Sequence, residues 1–264
     1  MTNLKDYIPP LVEAMKVVGS ELLARRENNQ VDGEWIGAQL KSSADIYAHE
    51  FLQKTLYKIS PEIPFISEES IDLDVTERPD CYWLVDPIDG TASYVNGFDG
   101  FVMQVALIRD NVPQLAVIYA PATDECYTAI ASEGAYKNNT RMTLYTNHDG
   151  VRLIDNYPEP RGIAKSIMEK LPNGTYVESG SLSLKALRVV EGGADLFVKD
   201  VVVRDWDFAA PIVIINELSA CISQFNGKEF SLYGSWEKKG IIVCRDKSLH
   251  QQIIHLLAEN ETSP

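Results

Sequence analysis

After Pro9-Pro10, apolar positions recur at Leu11, Met15, Val18 and Leu22, in steps of four, three and four. That spacing lays a single stripe along a helix and predicts an amphipathic first element. A second helix is predicted over 42–57, with Ala44, Ala48, Phe51 and Thr55 on one stripe. Asp45 and His49, four apart, project from an adjoining face of it. The pattern then shortens. Ile63–Ile66 and Tyr82–Val85 read as short buried strands, and Phe101–Ile108 with Gln114–Ala120 as a hairpin turning at Asp110-Asn111. Cys126–Ala131 and Ala135-Tyr136 continue the antiparallel pattern, with Asn138-Asn139 as a turn.

From Val151 onward strands and helices alternate: strand 151–155, helix 161–171, strand 175–178, helix 182–191, strand 194–198 and helix 207–218. Strands 220–225 and 240–244 and helix 248–259 follow. Such alternation predicts an α/β half. The boundary falls at Tyr145–Gly150, dividing an α+β half, 1–145, from an α/β half, 146–264. No repeat, low-complexity tract or long linker interrupts the chain.

Composition narrows the field. The 264 residues are 45% apolar and 23% charged, values that exclude disorder, collagen and a coiled coil for the whole chain. The 24 basic residues against 38 acidic ones leave a net charge of −14, which argues against binding a nucleic-acid polymer. A small phosphorylated ligand stays open, because bound divalent cations invert a local field. Cys81, Cys126, Cys221 and Cys244 contain no CxxC pair, so reduced thiols in a cytoplasmic protein are expected rather than a disulfide framework. Lys5, Asp6, Pro9, Pro10 and Glu13 do not form a signal peptide, and the longest apolar run, Phe208 to Ile215, is far short of a membrane span.

Candidate chemistry gathers where carboxylates follow strands. Glu68 and Glu69 follow Ile63–Ile66, and Asp86 and Asp89 follow Tyr82–Val85. If those strands are neighbours, their ends bring three or four carboxylates together, which repel unless a cation such as Mg²⁺ lies between them. The turn between Asp86 and Asp89 can also present the Ile88 carbonyl as a neutral oxygen ligand. Gly90 allows a close backbone approach, the amides after it can cradle a phosphate, and the Thr91 hydroxyl can position a water. Asp207, at the start of an apolar helix, can reach back to a metal. Each piece has an ordinary explanation: an Asp-Gly turn, solvated glutamates, a helix N-cap at Asp207. Their joint occurrence in this order outweighs those explanations. Walker A, GxGxxG, GxSxG and HExxH motifs are absent, and His250 and His255, five apart, read as surface residues.

Ser67-Glu68-Glu69, Trp83-Leu84-Val85-Asp86-Pro87-Ile88-Asp89-Gly90-Thr91 and Trp206-Asp207-Phe208-Ala209-Ala210 resemble the motifs of the inositol monophosphatase superfamily. That superfamily includes inositol monophosphatases, 3′(2′),5′-bisphosphate nucleotidases and relatives of fructose-1,6-bisphosphatase. The similarity extends through Val117–Pro121 and Glu191–Asp195, nearly the whole chain. The resemblance implies a layered αβαβα fold and a Mg²⁺-dependent phosphomonoesterase. It also implies two or three Mg²⁺ held by Glu68, Asp86, Asp89, Asp207 and the Ile88 carbonyl, activating water and stabilising the leaving oxygen. Asp45, Glu68 and Thr91 would be the catalytic group, Asp45 pairing with Thr91 to orient water, and the Gly90 and Thr91 amides would hold the phosphate. Li⁺ sensitivity and a homodimer are further implications.

This chain departs from the pattern at Ser93-Tyr94, Ser42 and Phe98-Asp99-Gly100, none of which removes a proposed ligand. Substrate signals point two ways. Lys185, with Ser67 and Tyr119-Ala120-Pro121, resembles the nucleotidases, where such a lysine meets a phosphate. The spacing of Gly180-Ser181 from Glu191-Gly192 and the place of Asp200, seven before Asp207, resemble the inositol phosphatases, where an acid binds an inositol hydroxyl. A cation suits a second phosphate, which favours the nucleotidase. A haloacid-dehalogenase phosphatase is excluded because its two aspartates stand two apart, and Asp86 and Asp89 stand three apart. A non-catalytic metal- or phosphate-binding relative would have no use for the pair that orients water.

Overall fold

The computed structural model describes residues 3–36, 39–75, 77–145, 150–171 and 173–261. After a 3-10 turn at Leu4–Tyr7, helix α1 covers Ile8–Glu27, with Pro9 and Pro10 in the first turn, where no helical bond needs their missing amide protons. An antiparallel pair that the hydrophobic pattern does not signal, β1 (Glu34–Ile36) and β2 (Gln39–Lys41), leads into α2 (Ser43–Ile59). Ser42 and Asp45 start α2 with a reciprocal capping box. Its deepest stripe is Ala44, Ala48, Leu52 and Leu56; the expected Phe51 and Thr55 are half-buried beside it.

Strands β3 (Phe65–Ser67) and β4 (Cys81–Asp89) follow, then the short helix α3 (Thr91–Val95). The strand read at 82–85 thus runs on through Asp89. Next come β5 (Val102–Arg109), β6 (Val112–Ala120), β7 (Glu125–Ile130), β8 (Gly134–Lys137) and β9 (Thr140–Arg141). Asp110 and Asn111, at φ 50° and 62°, make the tight turn predicted between β5 and β6, and Asn138 and Asn139 do the same at 47° and 62°. Strands β3 to β9 form one seven-stranded sheet in sequence order, antiparallel except for the β3–β4 pair.

Beyond residue 150 lie β10 (Arg152–Asp155), α4 (Gly162–Met168), β11 (Thr175–Glu178), α5 (Leu182–Val190) and β12 (Leu196–Arg204). Helix α6 (Asp205–Glu217), β13 (Cys221–Ser223), β14 (Glu237–Cys244) and α7 (Lys247–Glu261) complete the chain. The second sheet has the order β11-β10-β12-β14-β13, parallel on the β10–β11–β12 side. Strand β12 is longer than its apolar run because it continues as an exposed ribbon with β14 past an irregularity between Lys199 and Val202. Residues 146–149, which contain most of the boundary read at Tyr145–Gly150 and His148, lie outside the described residues.

Alternation along the strands builds the layers. On β4, Trp83 and Val85 face α1 and α2, whereas Tyr82 and Leu84 face α5 and α6. On β14, Ile241 and Val243 join that same middle layer, and Ile242 and Cys244 pack with α4 and α7. The order is therefore helices, seven-stranded sheet, helices, five-stranded sheet, helices: a layered αβαβα fold. Helix α6, enclosed between two sheets, is apolar nearly all round, with Trp206 and Phe208 to Ile215 buried. All four cysteines are free. His250 is half-buried and bonded to Ser223 Oγ at 2.7 Å, not a surface residue as expected, while His255 is exposed. No helix among the described residues is long and apolar enough to cross a membrane.

Candidate active site

Glu68 and Asp86 are brought together by the one parallel pair of the larger sheet. The Glu68 amide donates to the Val85 carbonyl at 3.1 Å, extending the β3–β4 ladder by one residue and setting Glu68 beside Asp86. Asp86 and Asp89 are three apart, so a regular strand would point them to opposite faces. Strand β4 instead pairs Asp86 with Gln104 and Asp89 with Val102, three steps against two. The extra residue is a bulge, centred on Pro87-Ile88, and it turns both aspartates towards the middle helical layer. Asp207 arrives from that layer. It stands in the third position of α6, not at its cap, and its Oδ2 accepts from the Arg204 amide at 2.7 Å.

These carboxylates are costly to ionise together. Burial pushes Asp86 well above the ordinary aspartate range, and the negative charges of Glu68, Asp89 and Asp207 push it further. Asp207 is raised for the same reasons, burial first and Asp89 next. Glu68 is raised by burial, with Lys41 opposing. Lys41 Nζ lies 3.2 Å from Glu68 Oε1 and 2.5 Å from Glu69 Oε1. Burial lowers the Lys41 pKa, but the two glutamates outweigh it and the net shift is upward.

Thr91 Oγ1 lies 2.9 Å from Asp45 Oδ1 and 3.1 Å from the Ile88 carbonyl. Its one proton serves either acceptor. The other oxygen of Asp45 accepts from the Ser42 amide at 2.9 Å, and burial raises the Asp45 pKa to about 7. His49, on the same helix, bonds to Ser67 Oγ at 3.0 Å. Gly90, at φ +93°, turns the chain from β4 into α3, so that its own amide and that of Thr91 open the short helix. Asp89 Oδ2 accepts from the Ser183 amide at 2.7 Å and from Ser183 Oγ, and Oδ1 accepts from the Leu182 amide at 3.2 Å.

Lys185 is fully interior rather than offered to a substrate phosphate. Its ammonium donates to the Gly180 carbonyl at 2.7 Å and stands 4.0 Å from Asp155, and burial lowers its pKa to about 8. Lys199, 2.7 Å from the same Asp155, is the outer cation of that group. Asp200 is exposed on β12, and among the described residues no hydrogen bond or ion pair ties it to the carboxylate cluster.

Sequence reasoning missed Lys41, Gln104 and Ser183. Gln104, 1% exposed, was signalled by being the one polar side chain within the apolar run of β5. Its Nε2 donates to Asp86 Oδ2 and to the Asp207 carbonyl, both at 3.3 Å. Ser183 and Lys41 carried no signal, since their partners are distant in the chain.

A divalent cation suits this donor set. It is made of hard oxygens, its negative charges raise one another, and the buried Asp86 Oδ1 has no hydrogen-bond partner. Among the described residues no three such side chains already stand as a closed metal cage. Asp89 is turned to Ser183 and Glu68 to Lys41, which accounts for the open arrangement.

A fold of two sheets and three helical layers, with acidic side chains collected at the bulged end of a central strand, defines a class of phosphatase scaffold. The Inositol monophosphatase family model matches residues 3–262, and the chain belongs to that family. It is 31% identical to the 3′(2′),5′-bisphosphate nucleotidase CysQ of Aggregatibacter actinomycetemcomitans, over 70% of this chain and 72% of that one. It is 30% identical to the fructose-1,6-bisphosphatase/inositol-1-monophosphatase of Thermotoga maritima, over 81% of each. The solved IMPase of Thermotoga maritima superposes with a TM-score of 0.80 at 27% identity, covering 94% of this chain and 95% of that one. The protein is a metal-dependent phosphatase.

Proposed function

We propose that this chain is a Mg²⁺-dependent phosphomonoesterase acting on a small phosphorylated metabolite, with a 3′(2′),5′-bisphosphate nucleotide as its substrate. The observation that carries the reading is the buried, unpartnered Asp86 Oδ1 amid Glu68, Asp89 and Asp207. Glu68, Asp86, Asp89, Asp207 and the Ile88 carbonyl would hold the cations, two or three of them. Bound Mg²⁺ supplies Lewis acidity and cancels charge on phosphoryl oxygens. The Gly90 and Thr91 amides orient the phosphate, and Thr91 Oγ1, whose own proton is given to Asp45, accepts a hydrogen bond from the attacking water and so aims it at phosphorus. Asp45, its pKa raised to about 7, can take up the Thr91 hydroxyl proton as the attacking water passes its own proton to Thr91 Oγ1. Glu68 is the third member of the catalytic group, placed beside Asp86 by the ladder that joins β3 to β4.

Support for a second phosphate comes from Lys199, the outer cation of the group in which it and the interior Lys185 flank Asp155 at the carboxyl end of β10. The CysQ likeness points the same way. An inositol phosphate is the competing substrate, favoured by the exposed Asp200, which is free to meet a hydroxyl. The two halves, 1–145 and 146–264, would close the cleft together, in the cytoplasm and in a homodimer.

The test is phosphate release from 3′-phosphoadenosine 5′-phosphate, inositol 1-phosphate and fructose 1,6-bisphosphate, with and without Mg²⁺ and with Li⁺ added. Mg²⁺-dependent turnover abolished in Asp89→Asn, with the nucleotide highest in kcat/KM, is the expected result. Preference for inositol 1-phosphate would overturn the substrate assignment, and cation-independent turnover would overturn the site.

A further inference from the structure

Helix α6 contains a proline one turn after Asp207, and its effect reaches the carboxylate cluster. In an α-helix the carbonyl of residue 207 accepts from the amide of residue 211. Residue 211 is Pro211, buried inside the helix and without an amide proton. The Asp207 carbonyl is thereby released from the helix ladder. Two side chains take the place of the missing amide, Gln104 Nε2 at 3.3 Å and Ser183 Oγ at 3.2 Å.

The same two side chains reach the other aspartates. Gln104 Nε2 donates to Asp86 Oδ2, and Ser183 Oγ donates to Asp89 Oδ2. A single carbonyl on α6 therefore links β5, α5 and both aspartates of β4. The amide nitrogen of Gln104 has two hydrogens and meets two acceptors, which fixes the way the amide faces; flipped, its oxygen would oppose both. Ser183 has one hydroxyl proton for two acceptors. Its own backbone amide already serves Asp89 Oδ2 at 2.7 Å, so a positive ligand drawn to Asp89 frees the hydroxyl proton for the Asp207 carbonyl.

The choice of neutral donors matters. Carboxylates on separate elements repel and would swing apart if untethered. A lysine or arginine at position 104 would restrain them but would cancel the charge that attracts a cation. An amide and a hydroxyl restrain them and leave that charge in place.

The geometry points to Gln104, Ser183 and Pro211 as positioning residues that set the mutual placement of Asp86, Asp89 and Asp207 through the released Asp207 carbonyl. This rests on the reading of those aspartates as the cation-binding centre. Pro211→Ala restores an amide proton at residue 211, returns the Asp207 carbonyl to the helix and dissolves the tether.

Mn²⁺ binding to the substrate-free protein, followed by titration calorimetry beside thermal melts, tests it. Pro211→Ala is expected to melt within a few degrees of the wild type, because a helix gains a bond when an interior proline is removed. Its Mn²⁺ dissociation constant is expected to rise about 10-fold, the usual effect of losing a group that orients a metal ligand. Gln104→Leu and Ser183→Ala should weaken Mn²⁺ similarly, and Gln104→Leu should add little on top of Pro211→Ala, since both break one tether. A variant that does not fold leaves the other two to decide. Wild-type Mn²⁺ affinity in the folded variants overturns the inference. A wild type that binds no Mn²⁺ overturns the reading of the cluster itself, and the two failures are told apart by which protein shows them.

Discussion

Thr91 Oγ1 stands 2.9 Å from Asp45 Oδ1, so a hydroxyl that opens α3 is held by a carboxylate in the first turn of α2. If this pair aims the attacking water, Thr91→Ala and Asp45→Asn should each lower kcat by about 10²–10⁴-fold, the usual worth of general acid–base assistance. Circular dichroism should show an unchanged fold. Full activity in either variant would remove the pair from the mechanism.

The carboxylate cluster makes stability depend on pH in a stated direction. Asp45 is raised from 3.8 to about 7, and Glu68, Asp86 and Asp207 are raised as well. Between the unfolded and folded values the native state binds more protons than the unfolded chain, so stability falls as pH rises. The Tm of the cation-free protein, measured in EDTA, should therefore drop from pH 5 to pH 8. Asp45→Asn should flatten part of that slope.

Lys41 sets one positive charge against the two carboxylates of Glu68 and Glu69. Lys41→Met should destabilise the cation-free protein by about 1.5–3 kcal/mol, the range for hydrogen bonds to charged groups. Added Mg²⁺ should raise the Tm of the variant more than that of the wild type. Equal shifts in calorimetric melts would show that Lys41 and the cation do not share a role.

Gly180 lies against Gly100 so closely that an added Cβ would sit 1.9 Å from the Gly100 carbonyl oxygen. The Ser181 amide donates to that same oxygen at 2.7 Å, and the next two amides hold Asp89. Gly180→Ala should cost about 3 kcal/mol or more through overpacking of backbone against backbone. Denaturant unfolding reads the loss directly.

Arg78 and Asp205 form an ion pair whose side chains are 3% and 0% exposed, with the guanidinium 3.6 Å from the Trp236 ring centre. Arg78→Ala leaves Asp205 with Lys238 alone and should destabilise by about 3–5 kcal/mol, as loss of one buried partner does. A change below 1 kcal/mol in urea melts would show that Lys238 suffices.

Much of this protein was legible before any coordinates. The stripe Leu11–Met15–Val18–Leu22, the paired turns at Asp110-Asn111 and Asn138-Asn139, and the alternation after Val151 are local signals, and local signals determine elements. The residues Glu68, Asp86, Asp89 and Thr91 could be singled out for the same reason, since they follow apolar runs, and Asp207 because it opens one. Asp45–Thr91 was readable only through the family resemblance. What the chain alone did not reveal was decided across space. Lys185 is a cation in the sequence, but burial under the Gly180 carbonyl turns it inward. Whether Asp86 and Asp89 share a face depended on a bulge that exists only against β5. Gln104, Ser183 and Pro211 meet at the Asp207 carbonyl although they lie on three elements, because hydrogen bonding between distant residues has no period along the chain for a sequence to display.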